Sequence, residues 1–278
     1  SSQTTAEYKA NVASLFVKGM LQGNLNNCDK GQGDNDEKQV GECEHTSLVD
    51  LTGGFGVDFA FMATRFTSAT YVERQPQLCQ LVQHNLNALN IGHAKVVCAE
   101  AESHLETIKR VSCIYLDPAR RDKNGGKTVL IEHCSPDILQ LLPTLLAKCG
   151  LLMVKLSPML HWQQAIAQLQ EQGAWVRQLH IVSVKNECKE LLFLITDRQT
   201  HGQNLSQAIV QSAQLHPTPL EGPTPKQVAS PTNSTHITCF NDGDTFQYCL
   251  AEAEATPQSI LQTQPQAGMF LFEPNASI

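Results

Sequence analysis

DLTGGFG, residues 50–56, stands where a short apolar run gives way to a helical pattern. The run is SLVDL (47–51), a predicted strand, and VDFAFMATRF (57–66) has the spacing of a helix. Gly54 and Gly56 allow a backbone to approach a ligand closely, and a helix start presents free N–H groups. The stretch therefore indicates a nucleotide-type ligand at the carboxyl edge of a sheet, with a tight packing turn as the alternative. A dinucleotide fingerprint would require glycine where this chain has Phe59.

The same alternation continues along the chain and predicts an α/β fold with a mostly parallel sheet. A helical pattern begins near Thr4, ahead of the first strand. VRQLHIVSV (176–184) and ELLFLIT (190–196) are joined too closely for a crossover helix, so we expect them to pair antiparallel at one end of the sheet. The other predicted strands, which helical patterns separate, are ATYVE (69–73), AKVVCA (94–99), SCIYLD (112–117) and GLLMVKL (150–156).

Acidic residues follow three of these strands. Glu73 closes the second strand, where a carboxylate can accept hydrogen bonds from both hydroxyls of a ribose. A solvated acid is the alternative for that position. Glu100, after the third strand, could accept a hydrogen bond from an adenine amine, and Glu102 is a neighbouring competitor for this role. Asp117 ends the fourth strand and starts the motif that bears most directly on chemistry.

That motif is LDPARRD (116–122), and it completes a recognisable set. DLTGGFG, YVE, the NLNALN helix and LDPARR occur in the order found in class I S-adenosylmethionine-dependent methyltransferases, which the chain resembles over residues 1–200. SSQTTAEYKA, CSPD, KLSPML and the closing FLFEPNASI also resemble a bacterial subgroup with a THUMP-like C-terminal domain. Members of that subgroup are similar to RNA guanine-N2 and related methyltransferases.

The resemblance implies a Rossmann-like seven-stranded sheet with one inserted antiparallel strand, and S-adenosylmethionine as the cofactor. In amino-methyltransferases of this kind an Asp/Asn-Pro-Pro-aromatic motif holds the target amine in line with the methyl group and stacks on the base. Asp117, Pro118 and Arg120 stand at the matching positions and are the implied catalytic residues. The implied cofactor-binding residues are Asp50, Thr52, Gly54, Gly56, Glu73, Glu100 and Asp117.

The fourth-strand motif departs from that pattern, because Ala119 replaces the second proline and Arg120 replaces the aromatic residue. An arginine can stack its guanidinium on a base or bind a phosphate. An arginine that only pairs with Asp122 or Asp137 is the alternative. We predict a basic, substrate-binding loop that contains Arg120, Arg121, Lys123 and Lys127.

Composition divides the chain into a large domain and a smaller piece. Residues 1–200 form the predicted methyltransferase domain, with a polar, aperiodic loop insertion at 23–46. Residues 201–232 form a proline-rich linker. We expect residues 233–278 to form a small α+β, THUMP-like piece that is incomplete, since the chain lacks an initiating Met and stops just after a strong strand.

Composition also excludes several classes of protein. Of the 278 residues, 41% are hydrophobic and 17% charged, so the chain can bury a core and wholesale disorder is excluded. The ten cysteines include no C-x-x-C pair, which argues against a zinc ribbon or a secreted disulfide framework. The histidines lack metal-ligand spacing, so we expect no metal site. No apolar run reaches the ~18 residues of a membrane helix, so we expect a cytoplasmic protein without a membrane partner.

Net charge does not decide the partner. The formal charge is −7, but residues 24–46 alone hold six acidic residues against two lysines. The leading hypothesis is an S-adenosylmethionine-dependent methyltransferase that acts on RNA, with a guanine exocyclic amine of tRNA or rRNA as a candidate acceptor. The alternatives are a non-catalytic RNA-binding or assembly module with the same fold, and a methyltransferase for a small molecule or protein. The sequence leaves the oligomeric state open.

Overall fold

The computed structural model describes residues 1–28, 45–120, 130–198 and 234–251, without the side chains of residues 23–28, 120 and 133. Its helices are α1 (Gln3–Cys28), α2 (Val57–Ala63), α3 (Pro76–Ala88), α4 (Ala101–Thr107), α5 (Ile138–Lys148) and α6 (Trp162–Glu171). The strands are β1 (Ser47–Asp50), β2 (Ser68–Glu73), β3 (Ala94–Cys98), β4 (Val111–Leu116), β5 (Ala119–Arg120), β6 (Cys134–Ser135), β7 (Cys149–Leu156), β8 (Ala174–Val184), β9 (Glu187–Asp197), β10 (His236–Asn241) and β11 (Asp244–Cys249). A short 3₁₀ turn covers Ile131–His133.

The strands of the main sheet lie in the order β11-β10-β8-β9-β7-β4-β1-β2-β3. Strands β3, β2, β1, β4 and β7 are parallel to one another, which confirms the predicted mixed α/β fold with a mostly parallel sheet. β9 runs antiparallel between β7 and β8, as expected for the inserted strand. The strand order reverses between β1 and β4, and such a reversal opens a crevice at the carboxyl edge of the sheet.

The expected count of seven strands is wrong for the described part of the chain, where the main sheet has nine. Part of the small α+β piece expected over residues 233–278 forms β10 and β11. These two strands extend the main sheet. β8 and β9 therefore pair antiparallel as predicted, but inside the sheet and not at its end. The edge of β8 has unpaired backbone groups in a seven-stranded sheet, and pairing with β10 satisfies them. The domain limits at residues 200 and 232 stay a prediction.

Helix α1 is longer than the sequence suggested. It continues to Cys28, so the predicted loop insertion at 23–46 begins too early. A single glycine costs a helix only about 1 kcal/mol, and Gly23 is followed by no proline that would end it. The remainder of the predicted insertion, residues 29–44, lies outside the described residues.

Helices cover both faces of the sheet. Along β4, Cys113 and Tyr115 pack against α1, α2 and α3, while Ile114 and Leu116 pack against α4, α5 and α6. Strands buried on both faces read as nearly continuous apolar runs, which is why their sequences showed little alternation. Both layers leave the carboxyl ends of β1, β2, β3 and β4 accessible.

A buried cation fixes α1 to the sheet. Lys9 is fully buried, and its Nζ lies 2.5 Å from Oε1 of Glu190 on β9 and 3.3 Å from Oδ1 of Asp58 on α2. Glu190 is itself 2% exposed, and burial raises its pKa although Lys9 acts in the opposite direction. Charges removed from water need such partners, because an unpaired buried charge is strongly unfavourable.

Replacing Lys9 by methionine should therefore destabilise the fold. The variant keeps the length of the side chain but leaves Glu190 and Asp58 without their counter-charge, and we expect a loss of roughly 3–5 kcal/mol in the free energy of unfolding. Urea titration at pH 8 measures it. Lys18→Met, an exposed position of the same helix, is the matched control. A loss below about 1 kcal/mol in Lys9→Met would contradict the proposed role of the buried pair.

Candidate functional site

A cavity of about 420 Å³ opens at the carboxyl ends of β1, β2, β3 and β4. Its volume lies within the usual range for small-molecule and cofactor sites. All seven predicted cofactor-binding residues line it, namely Asp50, Thr52, Gly54, Gly56, Glu73, Glu100 and Asp117. Side chains that the sequence did not single out line it as well, among them Ser1, Phe55, Asp58 and Tyr115. The topology thus brings the candidate residues of four strands to one place.

The glycine turn is held tightly against the sheet. Gly54 and Gly56 have positive φ values of 52° and 73°, in the left-handed region that favours glycine. A Cβ at Gly53 would lie 2.1 Å from the Tyr71 ring, whose hydroxyl donates a hydrogen bond to the Gly54 carbonyl at 2.5 Å. Gly53 was not predicted as a site residue, yet a Cβ there would meet a closer atom than a Cβ at Gly54 or Gly56 would.

Glu73 is oriented by backbone donors. The N–H of Gly54 donates to Oε2 and the N–H of Gln75 to Oε1, both at 3.0 Å. A carboxylate has about four acceptor positions, so each oxygen can still accept one more hydrogen bond. The arrangement suits a ligand that presents two neighbouring hydroxyl groups.

Glu100 lies at the start of α4, on the rim of the cavity. Its carboxylate is 58% exposed and stands 4.0 Å from a guanidinium nitrogen of Arg74. Glu102 also lines the cavity, so the geometry does not separate these two candidates for a ligand amine. The β3 end therefore contributes acidic groups without a fixed orientation.

Thr52 connects the ends of β1 and β4. The N–H of Asp117 donates to Thr52 Oγ1 at 2.6 Å, and the N–H of Thr52 donates to Oδ1 of Asp50 at 2.9 Å. Asp50 is 2% exposed, and burial, together with Asp58 and Asp117 nearby, raises its pKa to about 8 in spite of the Thr52 hydrogen bonds. A carboxyl group at the floor of the cavity is thus largely protonated at neutral pH.

Asp117 forms an ion pair that the sequence analysis missed. Lys155 Nζ, at the end of β7, lies 2.5 Å from Asp117 Oδ2. Burial alone would lower the pKa of Lys155, but the Asp117 carboxylate outweighs it and raises that pKa. KLSPML follows the fifth predicted strand, where it can line the same pocket or form only a turn before a helix, and nothing local to it indicates the pairing with Asp117.

The structure describes the other predicted catalytic and substrate-binding residues only in part. Pro118 lines a second, smaller cavity that adjoins Asp117. Arg120 belongs to β5, which pairs antiparallel with β6, and its side chain is outside the description. Arg121, Lys123 and Lys127 lie outside the described residues, so the basic substrate-binding loop stays a prediction.

The described ranges contain neither a candidate metal centre nor a membrane-spanning helix. No group of three or more His, Cys, Asp or Glu side chains there is arranged to hold a metal ion. None of the helices described is long and apolar enough to cross a membrane.

Comparison with known proteins gives one informative likeness. No protein-family model matches the chain, and no curated protein matches it. A presumed methyltransferase from Porphyromonas gingivalis W83 is 25% identical with a TM-score of 0.55, over 77% of this chain and 46% of that one. This chain therefore spans about half the length of that protein. The two share a mixed α/β fold with a mostly parallel sheet.

Other solved structures are more distant. An rRNA methylase from Streptococcus thermophilus is 15% identical with a TM-score of 0.42, over 56% of this chain and 89% of that one. A presumed methyltransferase from Streptococcus mutans, in complex with S-adenosylhomocysteine (SAH), is 14% identical with a TM-score of 0.41, over 55% and 88%. Likenesses of this size carry no argument about function.

Gly53→Ala should destabilise the site and the fold together. The added methyl group cannot avoid the buried Tyr71 ring, and overpacking of this kind costs roughly 1–3 kcal/mol. Thermal unfolding measures the loss. Gly92→Ala is the control, because a Cβ at Gly92 meets nothing within 4 Å. Equal melting temperatures for the two variants would show that the turn has room to move.

The protonated Asp50 should make stability depend on pH. Its pKa is about 8 in the folded protein against an ordinary value of 3.8, so the folded state holds this proton more tightly than the unfolded chain does. The resulting stabilisation is complete at acidic pH and is lost as the pH rises towards 8. Asp50→Asn has no carboxyl group to titrate at this position. Between pH 5 and 8.5 the free energy of unfolding of the wild type should therefore fall relative to that of the variant. A constant difference across that range would assign Asp50 an ordinary, ionised carboxylate.

Proposed function

We propose that this chain is an S-adenosylmethionine-dependent methyltransferase that acts on RNA, with a guanine exocyclic amine of tRNA or rRNA as the acceptor. One observation carries the proposal: a single cavity is lined by the glycine turn after β1, Glu73 after β2, Glu100 after β3 and Asp117 after β4. The likeness to the P. gingivalis protein, which is described as a presumed methyltransferase, supports the same reading.

The residues present fit this cofactor. Glu73 has two oxygens, already oriented by backbone N–H groups, for the two hydroxyls of a ribose. The turn at Gly54 and Gly56 lets the chain approach the ligand without a side chain between them. Asp58, Glu73 and Asp117 place carboxylates beside a ligand that carries a positive charge. When bound, the cofactor supplies an electrophilic methyl group on a sulfonium.

Asp117 is the residue that we assign to the acceptor. Its carboxylate is 38% exposed and lines the cavity, so it can accept a hydrogen bond from an amine and hold the nitrogen lone pair towards the methyl group. Positioning and exclusion of water can supply much of the acceleration for such a transfer. Pro118 would shape the same side of the site, and Arg120, with Arg121, Lys123 and Lys127, would bind nucleotide phosphate.

Fewer observations support the RNA substrate than support the cofactor. It is supported by the resemblance of LDPARRD, CSPD and KLSPML to the motifs of RNA guanine-N2 methyltransferases, and by the basic residues that follow Asp117. The closing FLFEPNASI supports a THUMP-like C-terminal region, and the scattered cysteines without a C-x-x-C pair suit a cytoplasmic location. A non-catalytic RNA-binding module and a small-molecule or protein methyltransferase are the competing outcomes of the tests below.

Glu73→Ala should weaken cofactor binding. Losing two hydrogen bonds to a charged group, each worth about 1.5–3 kcal/mol, predicts a drop in SAH affinity of at least about 100-fold. Isothermal titration calorimetry measures it in the wild type and the variant. Glu106→Ala, an exposed acid on α4, is the control and should bind as the wild type does. Heat with NAD but none with SAH in the wild type would overturn the cofactor assignment.

Methyl transfer should depend on Asp117. The wild type is incubated with radiolabelled S-adenosylmethionine and RNA that lacks its own modifications, and Asp117→Ala is expected to reduce label transfer by at least about 100-fold. SAH binding without transfer to RNA would favour the non-catalytic module, and label on protein or small molecules alone would favour the third candidate. Transfer unchanged by the substitution would remove Asp117 from the mechanism.

A further inference from the structure

A second cavity adjoins the cofactor cavity, and Asp117 lines both. Its volume is about 130 Å³, room for a single ring system, since a water molecule takes about 30 Å³ of liquid volume. The cavity lies on the β7 and β9 side of Asp117. Its lining consists of Asp117, Pro118, Cys134, Lys155, Leu156, Ser157, Pro158, Leu160 and Lys189.

The walls of this cavity combine flat apolar surfaces with a few polar groups. Pro118, Pro158, Leu156 and Leu160 provide the apolar area, and a planar ring can pack against such faces. Lys189 is 40% exposed and pairs with the exposed Glu187, so its ammonium group can also reach an anionic group beside the ring. The lining suits a planar, polar-edged ligand attached to a phosphate.

The ion pair between Lys155 and Asp117 fixes the polar end of the cavity. Lys155 is 19% exposed, and among the described residues its Nζ donates a hydrogen bond to Oδ2 of Asp117 and to no other side chain. Within the described part of the chain, Oδ1 of Asp117 accepts no hydrogen bond, which leaves it for a ligand donor.

Lys155 can pair with Asp117 because the other acidic side chains near it are paired with Lys9. Glu190 and Asp58 both influence Lys155 electrostatically. Each of them is paired with the buried Lys9, at 2.5 Å and 3.3 Å respectively. The two lysines therefore divide the acidic groups, Lys9 in the core and Lys155 at the site.

We propose that this second cavity is the acceptor pocket, that it receives a purine base bearing an exocyclic amine, and that Lys155 is a positioning residue. It holds Asp117 by Oδ2 so that Oδ1 accepts the hydrogen bond of the amine. The inference rests on the proposed function and names where the acceptor binds and what orients it. Lys155 itself does not line the cofactor cavity, so its role is separate from cofactor binding.

The test compares guanosine 5′-monophosphate with inosine 5′-monophosphate, which lacks the exocyclic amine. Both are titrated into the SAH-saturated full chain and followed by NMR. The wild type should bind the guanine nucleotide at least about 10-fold more tightly, because only that ligand donates to the Asp117 carboxylate. Lys155→Met should bring the ratio close to one, and Lys155→Arg should restore most of it. SAH affinity is measured in both variants as well, so that a loss of cofactor binding is distinguished from a loss of nucleotide discrimination.

Lys109→Met is the control and should keep the wild-type ratio, because this exposed lysine precedes the first residue of β4 whereas Asp117 follows the last. Equal affinities of the two nucleotides for the wild type, or no binding of either, would overturn the proposal. So would a full ratio in Lys155→Met, since a purely structural lysine would not be needed to discriminate the amine. If the proposed function is wrong, the wild type binds no SAH or transfers no label. That result differs from a loss of nucleotide discrimination.

Discussion

The reversal of strand order between β1 and β4 is the constraint on which the site depends. The connections that leave β1 and β4 run to opposite faces of the sheet, so their helices diverge from the carboxyl ends of these two strands and leave a crevice there. The hydrogen bond from Asp117 N–H to Thr52 Oγ1 keeps those ends together at 2.6 Å. The glycine turn, Glu73 and Asp117 lie in one cavity because the sheet places them there, although they are far apart in the sequence.

Charge distribution is the second organising feature of the molecule. Three aspartates, Asp50, Asp58 and Asp117, approach one another at the cavity, and each is accommodated differently. Burial raises the pKa of Asp50 so that it holds a proton, Lys9 pairs with Asp58 from the core, and Lys155 pairs with Asp117 at the surface of the site. The proton on Asp50 and the two lysines reduce the repulsion among the three aspartates, and a cationic ligand beside Asp50 would favour its ionised form.

Local patterns predicted much of this arrangement. Strand ends and the glycine turn were found from the sequence because periodicity and glycine placement are properties of short segments, as at Gly54, Gly56 and Glu73. Contacts over long separations were not found. Lys9 and Glu190 are 181 residues apart, and Lys155 and Asp117 are 38 apart, so nothing local to either residue signals its partner. The joining of β10 to β8 was missed for the same reason, since β9 and a proline-rich stretch separate the two strands along the chain.

The central claim is that four strand ends form one adenosyl-binding cavity, and a crystal structure of the complex with SAH tests it most directly. The account predicts the ribose hydroxyls within about 3 Å of the Glu73 oxygens, and the sulfur on the side of the cavity that contains Asp117. It also predicts that the acidic rim at Glu100 and Glu102 faces the adenine. SAH bound elsewhere on the chain, or in this cavity with its sulfur turned away from Asp117, would contradict it.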